Sequence, residues 1–175
     1  MSLAMSISAC DLPASALLRE YANKGAYADC YVTEIAISVS HAQYVEAFYT
    51  TAVFKLERLI LRWLASKSSS DSDARRLAHA QTNSFAAWSV EGRTADQLLL
   101  CDFLGRTRSW LMIVPIGGGP GTRLYFGSAI VPVRGRSGEL RLGSPFSALL
   151  GFHKLYSRIL LRAARLRLLK RRQRT

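Results

Sequence analysis

Acidic residues are scarce in this chain: 12 Asp and Glu stand against 24 Lys and Arg, for a net charge of +12. From Phe146 onward there is no acid at all, while nine basic residues fall there. Subtracting those nine from +12 leaves +3, so the body of the chain is only mildly basic. The charge belongs to one terminal segment, whereas a nucleic-acid-binding fold spreads it over a face. Cysteine is equally sparse. Cys10, Cys30 and Cys101 form no Cys-x-x-Cys pair and no metal-ligand spacing, and an odd count argues against a disulfide framework. A reducing, cytoplasmic setting is the simplest expectation. Long apolar runs are missing: residues 111–116 make a run of only 6, against the ~20 needed to span a bilayer. No Gly-x-Ser-x-Gly elbow, His-Glu-x-x-His helix or phosphate-binding Gly-Lys-Ser/Thr ending occurs. No metal or cofactor is expected.

What is present is the pattern of one globular domain. At 175 residues, with hydrophobic content of 49% and charged content of 21%, the chain can bury a sizeable core. Residues 1–26 read as an N-terminal segment, 27–168 as the domain and 169–175 as a basic tail. Within the first segment, Ile7-Ser8-Ala9-Cys10 matches a lipoprotein cleavage box. The residues before it carry no Lys or Arg and too short an apolar core, so the match reads as chance.

Residues 29–39 alternate Tyr31, Thr33, Ile35, Ile37 and Val39 against Cys30, Val32, Glu34, Ala36 and Ser38, the period of a half-buried strand. Ser40 with Gln43 predicts a capping box. The residues after it place Tyr44, Phe48, Ala52, Leu56, Leu59, Ile60 and Trp63 on one stripe, predicting a single helix over about 40–66. Polar residues 67–73 read as a surface loop, and a short helix over 74–80 follows. Strands are then expected at 85–91, 97–103, 107–114 and 122–133, joined by short turns into an antiparallel meander. The Trp-rich register, with Trp88, Leu99, Cys101, Phe103, Trp110, Met112, Val114, Tyr125, Gly127 and Ala129, is expected to face inward. Asp102, Glu91, Ser109 and Ser128 are placed outward. The closing helix spans 145–169, with Leu149, Phe152, Tyr156, Ile159, Leu160, Ala163 and Leu166 on its apolar side. The fold class is α+β: an antiparallel sheet gripping a long C-terminal helix.

That order of strand, long helix, short helix, antiparallel strands and C-terminal helix resembles the START-like helix-grip superfamily, which includes lipid-transfer domains, polyketide cyclases and many bacterial proteins. The likeness spans roughly residues 27–167 and is carried by element order, with TRLYFGSAIVPV and FSALLGFHKLYSRILLRAA as the closing strand and helix. The pattern shows about five strands where such folds have about seven. The resemblance implies a hydrophobic-ligand cavity between sheet and C-terminal helix, and no single activity.

On that footing a small hydrophobic or lipid-like ligand is the expected partner. Trp88, Phe103, Arg108, Trp110, Tyr125, His153 and Tyr156 are the candidate contacts. His153 is the one candidate acid or base, and its plainer account is a histidine at the edge of the core. Arg108, joined at the same sheet end by Arg106 and Arg123, would meet an anionic ligand group, and its plainer account is a solvated strand end. A cyclase, dehydratase or isomerase using the same cavity is the enzymatic alternative. The glycine loop at 117–121 reads as a hairpin tip. The C-terminal cations, among them Arg162, Arg165, Lys170, Arg171 and Arg172, read first as a solvated surface. They read next as a salt-sensitive contact with the anionic inner face of a membrane. Nucleic acid ranks last, because no aromatics interleave with the basic residues.

Overall fold

The structure is a computed structural model that describes residues 6–55, 69–134, 140–141 and 146–173. Its centre is a seven-stranded antiparallel sheet in the order β1-β2-β7-β6-β5-β4-β3. The strands are β1 (Ser8–Ala9), β2 (Tyr27–Ile35), β3 (Ser84–Phe85), β4 (Trp88–Arg93), β5 (Gln97–Asp102), β6 (Thr107–Pro115) and β7 (Thr122–Ile130). A separate ribbon pairs β8 (Val133–Arg134) with β9 (Leu140–Arg141). The helices are α1 (Arg19–Asn23), α2 (His41–Tyr49), α3 (Asp71–Ala78) and α4 (Phe146–Arg172). From β3 to β7 the chain meanders, and β2 closes the order by pairing along the whole of β7. The helix-grip arrangement expected from the sequence is what the described residues show. The two extra sheet strands, β1 and β3, are two residues each, too short to leave a periodic pattern.

The sheet is clad on both faces, and this overturns the expected inward register. One face carries Leu98, Leu100, Leu111, Ile113, Leu124 and Phe126, which pack with Tyr31, Phe48, Tyr49, Phe54, Leu160, Leu161 and Leu168 in the main core. Of the Trp-rich register, Trp88 does face the main core, because a bulge between Val90 and Gly92 shifts β4 by one residue, and Phe103 borders the same side from the end of β5, but the rest lies on the other face. There Cys30, Leu99, Trp110, Met112 and Ala129 are covered by Ala16 and Leu18 of the N-terminal segment. Both registers are apolar enough to be buried, so alternation alone could not say which one meets the C-terminal helix.

Two helices also depart from expectation. The helix predicted over 40–66 starts as read, with Ser40 and Gln43 forming the capping box. It then breaks at Thr50-Thr51 before helix resumes over 52–55. Thr50 Oγ1 donates to the Glu46 carbonyl (2.7 Å) and Thr51 Oγ1 to that of Phe48 (3.0 Å). Thr51 Oγ1 also accepts from the Phe54 amide (3.2 Å), a cap for the next segment. Hydroxyls that compete for backbone groups in this way interrupt helices. The remainder of the predicted stripe, residues 56–66, lies outside the described residues. In α4 the buried stripe is Ser157, Leu160, Leu161, Ala164, Arg165 and Leu168. That is about one residue away from the predicted stripe, and Ile159 and Leu166 are exposed. The side chains of Leu149 and Phe152 lie outside the described residues.

Candidate functional site

Between the sheet and α4 lies a cavity of about 480 Å³. Phe48, Val53 and Phe54 close one side, Tyr156, Ser157 and Leu160 of α4 another, and Trp88, Ser109, Phe126 and Ser128 of the sheet form the floor. Most of these walls are aromatic or aliphatic. The polar lining includes Asp102, Thr107, Arg108 and Ser109 from β5 and β6, and Ser128 and His153, which belong to a cluster where β2 and β7 meet α4.

Asp29 and Ser128 are directly opposed on β2 and β7. Their registers bring both side chains to the face that α4 covers. Ser128 Oγ donates to Asp29 Oδ1 (2.6 Å), and the Ser128 amide adds a longer bond to the same oxygen (3.3 Å). From α4, His153 Nε2 lies 2.7 Å from Ser128 Oγ and 3.6 Å from Asp29 Oδ2. Tyr27 and Tyr31 reach Asp29 Oδ2 with their hydroxyls at 3.4 and 3.5 Å. Burial and then the Asp29 charge push the Tyr31 phenol up to about 12, and the same two causes raise Tyr27 further. Both phenols are therefore fixed donors at neutral pH.

The wiring decides what this cluster can do. A serine hydroxyl has one proton to give, and a carboxylate can only accept. With that proton directed at Asp29, Oγ must accept from His153, so Nε2 carries hydrogen. A nucleophilic triad runs the other way, with serine giving its proton to histidine and the carboxylate holding the far ring nitrogen. Ser128 is consequently a bridge rather than an activated nucleophile.

Two further donors sit at the cavity wall. Trp88 Nε1 and Ser157 Oγ are buried without a hydrogen-bond partner among the described residues. A buried unsatisfied donor costs about 1–3 kcal/mol, and native interiors hold few of them. Both residues line the cavity, where a ligand acceptor or a water would satisfy them.

Of the seven expected contact residues, Trp88, Phe103, Arg108, His153 and Tyr156 border this cavity. Phe103 does so from an exposed position, 56% accessible. Arg108 is at the edge only: its guanidinium pairs with Glu91 (3.0 Å), stacks over Tyr21 (4.5 Å) and donates to the Gly105 carbonyl (2.8 Å). Arg123 does not join it. Arg123 opposes Val114, six residues along β6 from Arg108, which places it about 20 Å away at strand spacing, paired with Glu34. Trp110 and Tyr125 are on the opposite face, where Trp110 donates to Gln97 Oε1 (2.9 Å). Asp102, expected outward, borders the cavity because it shares a register with Leu98 and Leu100. Its Oδ1 is taken by the amides of Arg106 and Thr107.

The reading from sequence missed Asp29, Ser128 and Ser157. Asp29 heads the same alternate register as Tyr31 and Ile35, so an acid at the start of a buried series was a usable signal. Ser128 follows Leu124 and Phe126 in the register set aside as outward.

The C-terminal cations divide. Arg165 is buried with Nε on the Glu34 carbonyl (3.2 Å), and Arg171 pairs with Glu46 (2.7 Å), which also meets Arg75. Arg162, Lys170 and Arg172 are exposed. Among the described residues no helix is long and apolar enough to cross a membrane, and no group of three or more His, Cys, Asp or Glu could hold a metal ion. No protein-family model, curated protein or solved structure matches the chain.

Proposed function

We propose that the protein binds a small, mainly apolar molecule with one polar end in the cavity between the sheet and α4. The observation that carries this is the cavity itself: about 480 Å³, walled largely by aromatic and aliphatic side chains, with Ser128 and His153, both held by Asp29, on its lining and two unpaired donors on its surface. Pockets for small ligands have this size and this balance of apolar wall and few polar groups. The START-like resemblance implies a cavity in the same position. A cyclase, dehydratase or isomerase would draw on the same residues, with His153 as acid or base. The wiring favours binding, because both polar contacts of Nε2 are taken up within the protein. Native mass spectrometry of protein purified from its source should show a co-purified apolar adduct. In a second arm, 1-anilinonaphthalene-8-sulfonate should brighten with the wild-type protein and not with Ala87→Leu or Ser157→Phe, which fill the space from different walls. Equal brightening in folded variants would place the dye elsewhere and remove the proposal.

A second reading rests on α4's outer side. Leu155, Ile159 and Leu166 are 57%, 42% and 43% exposed, and with Arg162 they follow helical spacing along one stripe. An apolar stripe that carries Arg162, with Arg158 exposed beside it, suits an anionic bilayer surface, where apolar burial adds to charge attraction. Vesicles containing phosphatidylserine should co-sediment the protein, with part of the binding surviving high salt. Pure phosphatidylcholine vesicles should not. Undiminished binding by a Leu155→Ser, Ile159→Ser, Leu166→Ser variant would sink this reading.

A further inference from the structure

Cys10 and Cys30 face each other across neighbouring strands at the sheet's edge, where the N-terminal segment meets β2. The register Ser8↔Val32 and Ala9↔Tyr31 continues directly to Cys10 opposite Cys30, and the Cys10 amide donates to the Cys30 carbonyl (3.0 Å). The two sulfurs are 3.3 Å apart, and both thiols are free. Opposed residues of antiparallel strands have Cα atoms about 4.5–5.5 Å apart, within the span a disulfide accepts, so side-chain rotation alone would join them. We propose that Cys10 and Cys30 form a reversible disulfide that fastens the N-terminal segment to the sheet, with Cys10 the attacking thiol and Cys30 the resolving one.

The assignment of roles follows from their surroundings. Cys10 is half-buried and lines a surface groove of about 350 Å³ together with Asp11, Glu34, Arg123 and Tyr125, room enough for a small disulfide to approach. Cys30 is buried against Leu18 and Trp110. The contact between the two sulfurs favours the Cys10 thiolate and, with burial, holds Cys30 protonated. The oxidant is a low-molecular-weight disulfide such as oxidised glutathione. The Cys10 thiolate attacks one of its sulfurs, the oxidant's S–S bond breaks, and one small thiolate leaves with the electron pair and takes up a proton. Cys30 then loses its proton to solvent and attacks the Cys10 sulfur, expelling the second small thiol. Two protein thiols are oxidised to one disulfide and one oxidant disulfide is reduced to two thiols. The bond would close a loop between residues 20 apart. β1 holds the segment by only two strand residues, so the fastening should be felt.

The experiment uses the full chain treated with oxidised glutathione at neutral pH, followed by non-reducing peptide mapping. A Cys10–Cys30 peptide pair, with Cys101 unmodified, is expected, as is a rise in melting temperature of roughly 5–10 °C that dithiothreitol reverses. With Cys30→Ser, Cys10 should stop at the mixed disulfide, seen as one added glutathionyl mass. Oxidation that yields intermolecular dimers or links through Cys101, or a wild-type protein that retains three free thiols, would overturn the proposal. The mapping needs no variant, so a misfolded Cys30→Ser protein would leave the result decisive.

Discussion

Gly127→Ala tests the packing of the sheet's N-terminal face most directly. A Cβ at this position would lie 2.9 Å from the Asp29 carbonyl oxygen, 2.9 Å from Leu18 Cδ2 and 2.9 Å from Trp110 Cε3. Real Cβ atoms do not approach so closely, and the three obstacles come from β2, the N-terminal segment and β6. Leu18 and Trp110 are fully buried and have no space to withdraw into, while moving the Asp29 carbonyl would disturb the β2–β7 ladder beside Asp29 and Ser128. In an open strand, alanine would be favoured over glycine by roughly 0.5–1 kcal/mol. Overpacking a tight site costs about 1–3 kcal/mol, and a backbone obstacle puts this one toward the upper end. The steric cost should win, leaving a net loss of about 1–2 kcal/mol. For a domain of this size that is a fall in melting temperature of roughly 2–8 °C. Urea unfolding followed by far-UV circular dichroism should show a lower midpoint with an unchanged slope. Gly119→Ala, where an added Cβ meets nothing within 4 Å, is the control and should stay within about 0.5 kcal/mol of wild type. A Gly127→Ala protein as stable as that control would refute the packing argument.

Three other perturbations have defined outcomes. Thr51→Ala removes the hydroxyl that accepts from the Phe54 amide, and should cost about 1 kcal/mol in urea unfolding. Ser128→Ala takes away the bridge between Asp29 and His153; a loss of about 1–3 kcal/mol in stability is expected, along with weaker dye binding in the cavity. His41 is buried at the start of α2, and desolvation pulls it down to about 4. The unfolded chain takes up its proton near pH 6.5, so the stability His41 contributes is complete above that value and is lost as pH falls toward 4. The full change is on the order of 3 kcal/mol. Unfolding midpoints measured from pH 7 to pH 5 should therefore decline, and His41→Gln should flatten that decline. Glu46 and Glu91, both held below the usual carboxylate range, act only at lower pH.

Element order was legible because each main element carries its own period. β2 alternates cleanly, Ser40 and Gln43 announce the start of α2, and α4 repeats at helical spacing over 27 residues. The break at Thr50-Thr51 was hidden because the apolar stripe continues through it. Only the side-chain chemistry of two adjacent threonines opposes the pattern, and periodicity does not register a hydroxyl's choice of partner. Arg165 was equally hidden. It lies among cations that look solvated, yet its guanidinium reaches the Glu34 carbonyl beside the buried stripe.

The site depended on a one-residue phase, and that is where periodicity has least to say. In β6, Trp110 and Met112 compete with Leu111 and Ile113, and every one of the four is buried. The larger aromatics argued for the first pair as the ligand-facing side. Yet large rings are also what a thin N-terminal segment needs beneath it, since few residues must cover much area. Leu18 and Ala16 could not bury that face against small side chains without leaving it wet, and Gly127 leaves the space beside it that Trp110 and Leu18 occupy. The more discriminating signal was polar. A serine or aspartate in a register otherwise buried has to find a partner there, and Asp29, Ser109 and Ser128 all belong to the face that α4 covers. Ser109 meets the Tyr49 hydroxyl (3.2 Å), and Asp29 and Ser128 meet each other and His153. Polar residues set within an apolar series, rather than the largest aromatics, mark the side of this sheet that encloses a cavity.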